Sequence, residues 1–362
     1  MFSTLWAILN IIIKSLPLPI VLILRLLTSP FNQHERTKTS RRIIGDAALR
    51  WVIFAQQWRH TKLLFPPTLA QYKTWCKAKK VPVATEDVKD EPDAKLLWIG
   101  SQGATRVILY FHGGGFFLPI QEAALDFWTY ARKEIAAGVH NDADVAVAIL
   151  PYTLLPEGPF PIPLRQAINS IQTLLDRGIS PQNIQLTGDS AGANLVVQVL
   201  NHMLHPYKSL PRLPESVKFG GAYLMSPWVV MNRRAGIRSW EENDGHDLVC
   251  AKRLVDFGNM VLDSVTEKNM MPYIDMSFAP GGWYDGIDTK VDRILITAGD
   301  AECLRDDILE FADKIGKSHR TTKVIVQPHG VHDDPFYDFM AKETRLVDLT
   351  KHIVNWFVEG YE

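Results

Sequence analysis

Ile184-Gln185-Leu186-Thr187-Gly188-Asp189-Ser190-Ala191-Gly192-Ala193-Asn194-Leu195 changes its periodicity part-way through. Ile184–Thr187 reads as a short buried strand, and Ala191–Leu204 repeats its apolar residues as a helix does. Between them stands Gly-x-Ser-x-Gly: Gly188, Ser190 and Gly192. A serine on so sharp a strand-to-helix bend presents its hydroxyl above the end of a sheet. The flanking glycines let the bend close without Cβ clashes, and the helix that starts there favours developing negative charge at its N-terminus. Ser190 is therefore the candidate nucleophile, and the Ala191 N–H a candidate donor to an oxyanion. The pattern of three residues is weak alone; the strand before it and the helix after it make it informative.

Upstream, Val107–Phe111 is another apolar strand, running straight into His112-Gly113-Gly114-Gly115-Phe116. Successive glycines let backbone N–H groups approach a ligand, so Gly113 and Gly114 are the expected remaining oxyanion donors. Losing one such donor typically costs about 2.7–4 kcal/mol of transition-state stabilisation. His112, ahead of the nucleophile, is expected to be structural.

Past residue 90 short strands alternate with helices. The strands are Leu96–Ile99, Val107–Phe111, Val145–Leu150, Ile184–Thr187, Gly221–Met225, Ile294–Thr297 and Lys323–Val326. The helices are roughly Glu122–Ala137, Leu164–Arg177, Ala191–Leu204, Leu304–Ile315 and Thr344–Phe357. This alternation specifies an α/β fold with a mostly parallel central sheet and helices on both faces. Residues 30–90 and 229–290 break it and are the expected cap over the carboxyl ends of the strands, where ligands bind in open α/β sheets.

A serine nucleophile needs a base and an acid that orients the base. After Ser190, the strand Ile294–Thr297 leads to Asp300 and Glu302, with Asp306, Asp307 and Glu310 inside the next helix. Spacing leaves Asp300 and Glu302 both open as the acid. The last strand leads to His329-Gly330-Val331-His332-Asp333; His329 lies almost on the strand, and His332 lies deeper in the loop. A His-x-x-His pair also suggests metal ligands, but the sequence offers no evident third. The remaining histidines, His34, His60, His140, His202, His205, His246, His319 and His352, default to surface or core.

Four motifs in order now resemble a known family, the hormone-sensitive-lipase-like esterases of the α/β-hydrolase superfamily. His-Gly-Gly-Gly stands at 112–115 and Gly-Asp-Ser-Ala-Gly at 188–192. Pro151-Tyr152-Thr153-Leu154-Leu155-Pro156-Glu157-Gly158-Pro159-Phe160-Pro161 is similar to the segment the family places between them, and Ser226-Pro227-Trp228 follows the next strand. The resemblance implies an α/β-hydrolase fold with a cap, a serine carboxylesterase acting through an acyl-enzyme, and no cofactor or metal. Where the family has Asp-Pro-Leu-x-Asp this chain has Glu302-Cys303-Leu304-Arg305-Asp306, which implies Glu302 as the acid. The family's Gly-x-x-His-x-Phe corresponds to Gly330-Val331-His332, one residue shorter and without the phenylalanine, which implies His332 as the base.

Hydrophobic residues make up 46% of the 362 and charged residues 22%, an ordinary balance for a globular enzyme. The net charge of −1 and the scattered basic residues point to no nucleic-acid partner. Cys76, Cys250 and Cys303 are far apart and lack metal spacing. The first 29 residues are apolar but for Asn10, Lys14 and Arg25 among few polar positions. Met1–Thr4 carry no basic side chain and no Ala-x-Ala-like site follows, unlike a cleaved signal. Residues 1–29 are therefore expected to associate with a membrane, that of the endoplasmic reticulum, with 30–362 as the hydrolase domain. Arg36, Lys38, Arg41 and Arg42 just after them favour a cytoplasmic catalytic domain, and no Asn-x-Ser/Thr sequon argues the opposite.

The layout of an apolar segment ahead of such a domain is similar to that of fungal steryl acetyl hydrolases and related membrane-associated deacetylases. It implies a hydrophobic small-molecule ester as partner: a short-chain ester, an acetyl ester, of a hydrophobic alcohol such as a sterol or a secondary metabolite. Two alternatives stand beside this reading. One is amide hydrolysis or cyclisation in secondary metabolism; the other is a catalytically inactive ligand-binding protein on the same fold, from which the presence of both Ser190 and His332 argues away.

Overall fold

The computed structural model describes residues 2–55, 64–139 and 145–362. Eight strands form one sheet: β1 Thr85–Val88, β2 Glu91–Ile99, β3 Arg106–Phe111, β4 Val145–Leu150, β5 Ile184–Asp189, β6 Gly221–Met225, β7 Ile294–Gly299 and β8 Thr322–Gln327. Their order is β1-β2-β4-β3-β5-β6-β7-β8. β2 runs antiparallel to β1 and β4; the pairs from β4 through β3 and β5 to β8 are parallel. Every residue of β4 and β5 is buried, as expected of central parallel strands covered on both faces.

The helices are α1 Phe2–Ser15, α2 Leu18–Thr28, α3 Ser40–Ala55, α4 Thr68–Lys79, α5 Glu122–Gly138, α6 Ile162–Asp176, α7 Ser190–Leu204, α8 Ala251–Asp263, α9 Arg305–Ser318, α10 Asp334–Ala341 and α11 Asp348–Glu359, besides several single turns. The seven expected strands and five expected helices are all present, with shifted ends. β1, α8 and α10 are additions. β1 is Thr-Glu-Asp-Val, a polar edge strand with no run of β-formers. α10 begins Asp334-Pro335, and a proline at the first turn is a helix-start signal.

The expected cap over 30–90 is narrower than that. α4 belongs to the sheet's own core: Tyr72, Trp75 and Cys76 are buried against Leu97 and Ile99, and the Tyr72 hydroxyl donates to the Trp98 carbonyl at 2.7 Å. β1, too, is part of the sheet. From the described part of that span α3 is left, with His60 outside the described residues, as is His140.

Trp6–Phe31 forms a 26-residue helical stretch, with an 18-residue window of mean hydropathy 2.3, that is long and apolar enough to cross a membrane. Its Leu16 is 69% exposed and its Phe31 90%. The stretch is joined to the catalytic body. The Trp51 indole donates to the Lys14 carbonyl at 3.1 Å. The Arg25 guanidinium pairs with Glu35 and donates to the Gly245 carbonyl. Two of the four basic residues just after the apolar stretch are spent on internal ion pairs. Lys38 pairs with Asp46 at 3.0 Å. Arg42, 3% exposed, pairs with Asp46 at 2.7 Å and with Asp334 and Asp338 at 2.6 Å each. All three cysteines are buried and unbridged.

Candidate active site

The bend after β5 is set by sterics. Ser190 has φ +50°, a left-handed backbone that is costly for a residue with a Cβ. A Cβ on Gly188 would lie 2.3 Å from the Gly192 carbonyl carbon, and one on Gly192 would lie 1.9 Å from the Phe111 oxygen. Glycine at both positions lets β5, β3 and α7 meet this closely.

Asp189 clamps the bend to the glycine loop. Its Oδ1 accepts the Tyr110 hydroxyl at 2.5 Å and the Gly113 N–H at 2.9 Å. Burial pushes its carboxyl up to about 6, against the lowering effect of these two donors. This arrangement corrects the expectation for Gly113. Its N–H is committed to Asp189 and cannot also serve an oxyanion. The cavity beside Ser190 is lined instead by Gly114 and Gly115, with φ of +104° and +63°. No acceptor among the described residues takes the N–H of Gly114, Gly115 or Ala191, and the first N–H groups of a helix have none within it.

His112 holds the loop from behind. Its Nδ1 lies 2.8 Å from the Gly113 carbonyl and its Nε2 3.2 Å from the Thr68 hydroxyl. Its ring stacks on Tyr152, whose hydroxyl donates to the His112 carbonyl at 2.7 Å. Burial lowers its pKa to about 4.

His332 and Ser190 line the same cavity. His332 Nδ1 lies 3.6 Å from Glu302 Oε2, an ion-pair distance rather than a hydrogen bond. The Ser226 hydroxyl donates to that same oxygen at 2.7 Å, and Glu302 is fully buried. Of the two sequence candidates for each role, Glu302 and His332 meet; Asp300 and His329 lie together elsewhere, near His34.

Three supports escape a reading by motif. Ser226, the first residue of Ser-Pro-Trp, also accepts the Asp333 N–H at 3.2 Å. Asp247, fully buried in the 229–290 segment, accepts the Cys303 N–H at 2.8 Å and the His332 N–H at 2.9 Å. It therefore ties the loop after β7 to the loop after β8. Asp333 Oδ2 lies 3.3 Å from His332 Nε2. Burial alone would depress the imidazole, but Asp333, Glu302 and Asp247 outweigh it and push His332 up to about 10. Asp333 is signalled in the sequence only as an acidic residue next to the histidine, and Asp247, 85 residues before it, carries no such signal.

The cavity at Ser190 holds about 50 Å³ and is walled by Ile53 of α3, by Trp228, and by Val249, Leu254 and Phe257. Phe257 packs so closely that a Cβ on Gly115 would lie 2.9 Å from its ring. A larger cavity of about 380 Å³ lies between Thr68, Phe117 and Tyr152–Leu154 and is lined by none of Ser190, Glu302 and His332.

Residues 87–349 match the family model described as steryl acetyl hydrolase. The chain belongs to the steryl acetyl hydrolase family. It is 22% identical over 267 residues to steryl acetyl hydrolase 1 of Saccharomyces cerevisiae, covering 67% of this chain and 57% of that one. Over 255 residues it is 27% identical to the mug81 protein of Schizosaccharomyces pombe, covering 68% and 64%. An esterase of Acinetobacter venetianus is 27% identical over 216 residues, covering 58% and 61%. The matches thus span a little under two thirds of these relatives' lengths. A crystal structure of an esterase from the bacterial hormone-sensitive lipase family superposes with a TM-score of 0.64 at 22% identity, over 89% of this chain and 97% of that one. The family member therefore has the α/β-hydrolase fold.

Proposed function

We propose that this chain is a serine carboxylic-ester hydrolase that removes an acetyl group from a hydrophobic alcohol. The observation that carries the reading is that Ser190, on its left-handed bend, shares one cavity with His332, whose far nitrogen turns toward the buried Glu302. His332 Nε2 takes the hydroxyl proton as Ser190 Oγ attacks the ester carbonyl carbon. The N–H groups of Gly114, Gly115 and Ala191 hold the oxyanion. Collapse breaks the bond to the alkoxy oxygen, which leaves with the proton from His332. Water then attacks the acyl-enzyme by the same route and releases the carboxylate. Glu302 stabilises the imidazolium throughout.

Three things support an acetyl ester of a bulky alcohol. The free space at Ser190, about 50 Å³, suits a short acyl group rather than a long chain. The apolar walls suit a hydrophobic leaving group. The family description names steryl acetate chemistry in its relatives. The Trp6–Phe31 stretch supports association with a membrane, where such an alcohol would dissolve.

The test is a series of p-nitrophenyl esters from acetate to palmitate, followed by cholesteryl and ergosteryl acetates, assayed on the full chain in detergent. Acetate is expected to lead in kcat/KM. Preference for long acyl chains would overturn the acetyl assignment, and no turnover of any ester would overturn the hydrolase.

A further inference from the structure

Away from Ser190, three side chains from distant parts of the sequence turn ligating atoms toward one point. They are His34, just after the apolar stretch, Asp300 after β7, and His329 after β8. His34 Nδ1, Asp300 Oδ1 and a ring nitrogen of His329 all lie within 4.8 Å of one another. His34 Nδ1, Asp300 Oδ1 and His329 Nδ1 are each buried, and none has a hydrogen-bond partner among the described residues. Buried polar atoms without partners are costly and uncommon, and the three residues together offer a donor set for a cation. We propose that His34, Asp300 and His329 bind a divalent transition-metal ion of the zinc type.

The donor chemistry fits. Two imidazoles and a carboxylate suit zinc, with Zn–N near 2.0–2.1 Å and a fourth position left for water. A tetrahedral ion at those lengths needs donors about 3.4 Å apart. His34 Nδ1 and Asp300 Oδ1 stand at 3.8 Å and no donor pair exceeds 4.8 Å, so the loops would close by at most about 1.4 Å. The outer contacts of ligating histidines orient their rings, and such contacts exist here. Gln33 Nε2 lies 2.9 Å from His34 Nε2; with the amide turned over, its oxygen would accept the Nε2–H of a ring that ligates through Nδ1. Asn32 Oδ1 accepts the His34 N–H at 2.9 Å, while Asn32 Nδ2 meets Nδ1 of the neighbouring His246 at 3.2 Å. The Asp300 carbonyl is gripped by Asn243 and Arg305, both at 3.0 Å.

The ion would clamp the segment that follows the apolar helices to two loops at once. Asp300 lies two residues before Glu302, and His329 three before His332. The sequence shows the pair His329-x-x-His332, but the structure turns its two members apart: His332 faces Ser190, and His329 takes its partners from nearly the other end of the chain.

The full chain, purified in detergent and dialysed against EDTA, is titrated with zinc chloride by calorimetry and with cobalt(II) by absorption. About one equivalent of each is expected, with the visible band of four-coordinate cobalt and a rise in Tm on adding zinc. His34→Ala, His329→Ala and the near-isosteric Asp300→Asn are each expected to weaken zinc binding by at least about tenfold, while the exposed His352→Ala leaves it unchanged. Circular dichroism checks that each variant is folded, and Asp300→Asn serves should a histidine variant not fold. Absence of a stoichiometric site in the parent chain, or parent-like zinc affinity in folded Asp300→Asn and His34→Ala, would overturn the proposal.

Discussion

The loop that carries Ser190 and the loop that carries His332 face each other across one small cavity, yet they are held by opposite means. The first is local. Gly188, Ser190 and Gly192 fix its course by sterics within five residues, and the strand and helix on either side follow from periodicity. The second is held from afar. His332 is positioned through Asp247 from the middle of the chain, Ser226 from the loop after β6, and Arg42 from near the N-terminus, which grips Asp334 and Asp338 of the helix that follows. A loop shaped by its own sterics tolerates little change in itself. A loop shaped by distant ion pairs is vulnerable at positions that never approach the substrate.

That contrast can be broken at several points. The largest effect is expected at the local loop. Ser190→Ala should lower kcat by at least about 10⁴-fold and abolish fluorophosphonate labelling, with stability unchanged or improved because a strained nucleophile is gone. Substantial residual turnover would sink the assignment. Next is Arg42→Ala, whose guanidinium lies over the Tyr337 ring of the cavity wall without lining the cavity itself. Removing one partner of a buried ion-pair network leaves carboxylates uncompensated and typically costs 3–5 kcal/mol, so the urea midpoint should fall sharply. A surface-like loss below about 0.5 kcal/mol would mean that the base loop does not depend on this cation.

Asp247 sharpens the comparison, because it touches both the acid and base loops. Asp247→Ala strands three buried N–H groups, those of Leu248, Cys303 and His332, and lets the imidazole drift; a misplacement near 1 Å can cost about 10²-fold. We expect kcat to fall about 10- to 100-fold with KM little changed, and Asp247→Asn, which keeps one acceptor oxygen, to recover part of it. An equal rise in KM would point to a collapsed pocket instead.

The smallest effect concerns pH. The base works when neutral, and its pKa is raised, so activity should climb as pH rises above the ordinary histidine value of 6.5. Asp333→Asn removes a neighbouring negative charge, which lowers that pKa. The acid limb of kcat/KM should then shift to lower pH by about one unit. A shift to higher pH would show that Asp333 does not act through charge on His332.

The same contrast explains what the sequence revealed. The sheet and the elbow were legible because glycine spacing and apolar runs act over a few residues. The choice between Asp300 and Glu302, or between His329 and His332, was open to spacing because it depends on where Ser226, Asp247 and His34 arrive in space; only family resemblance favoured one of each pair. Gly113 was misread for a related reason: its N–H looks free until Asp189, 76 residues later, is seen to claim it. β1 was lost to its polar composition, and α4 was taken for cap because its buried Tyr72 and Trp75 are spaced among lysines and a glutamine.

The join between the apolar helices and the body has a mechanical consequence. Trp51 bonded to Lys14, and Arg25 bonded to Glu35 and Gly245, make a stiff bracket in place of a loose tether. A body mounted on such a bracket keeps one side turned toward whatever surface receives the helices. Its standoff and tilt are then properties of the fold, and a truncation at residue 29 would remove part of the bracket rather than merely cut a leash.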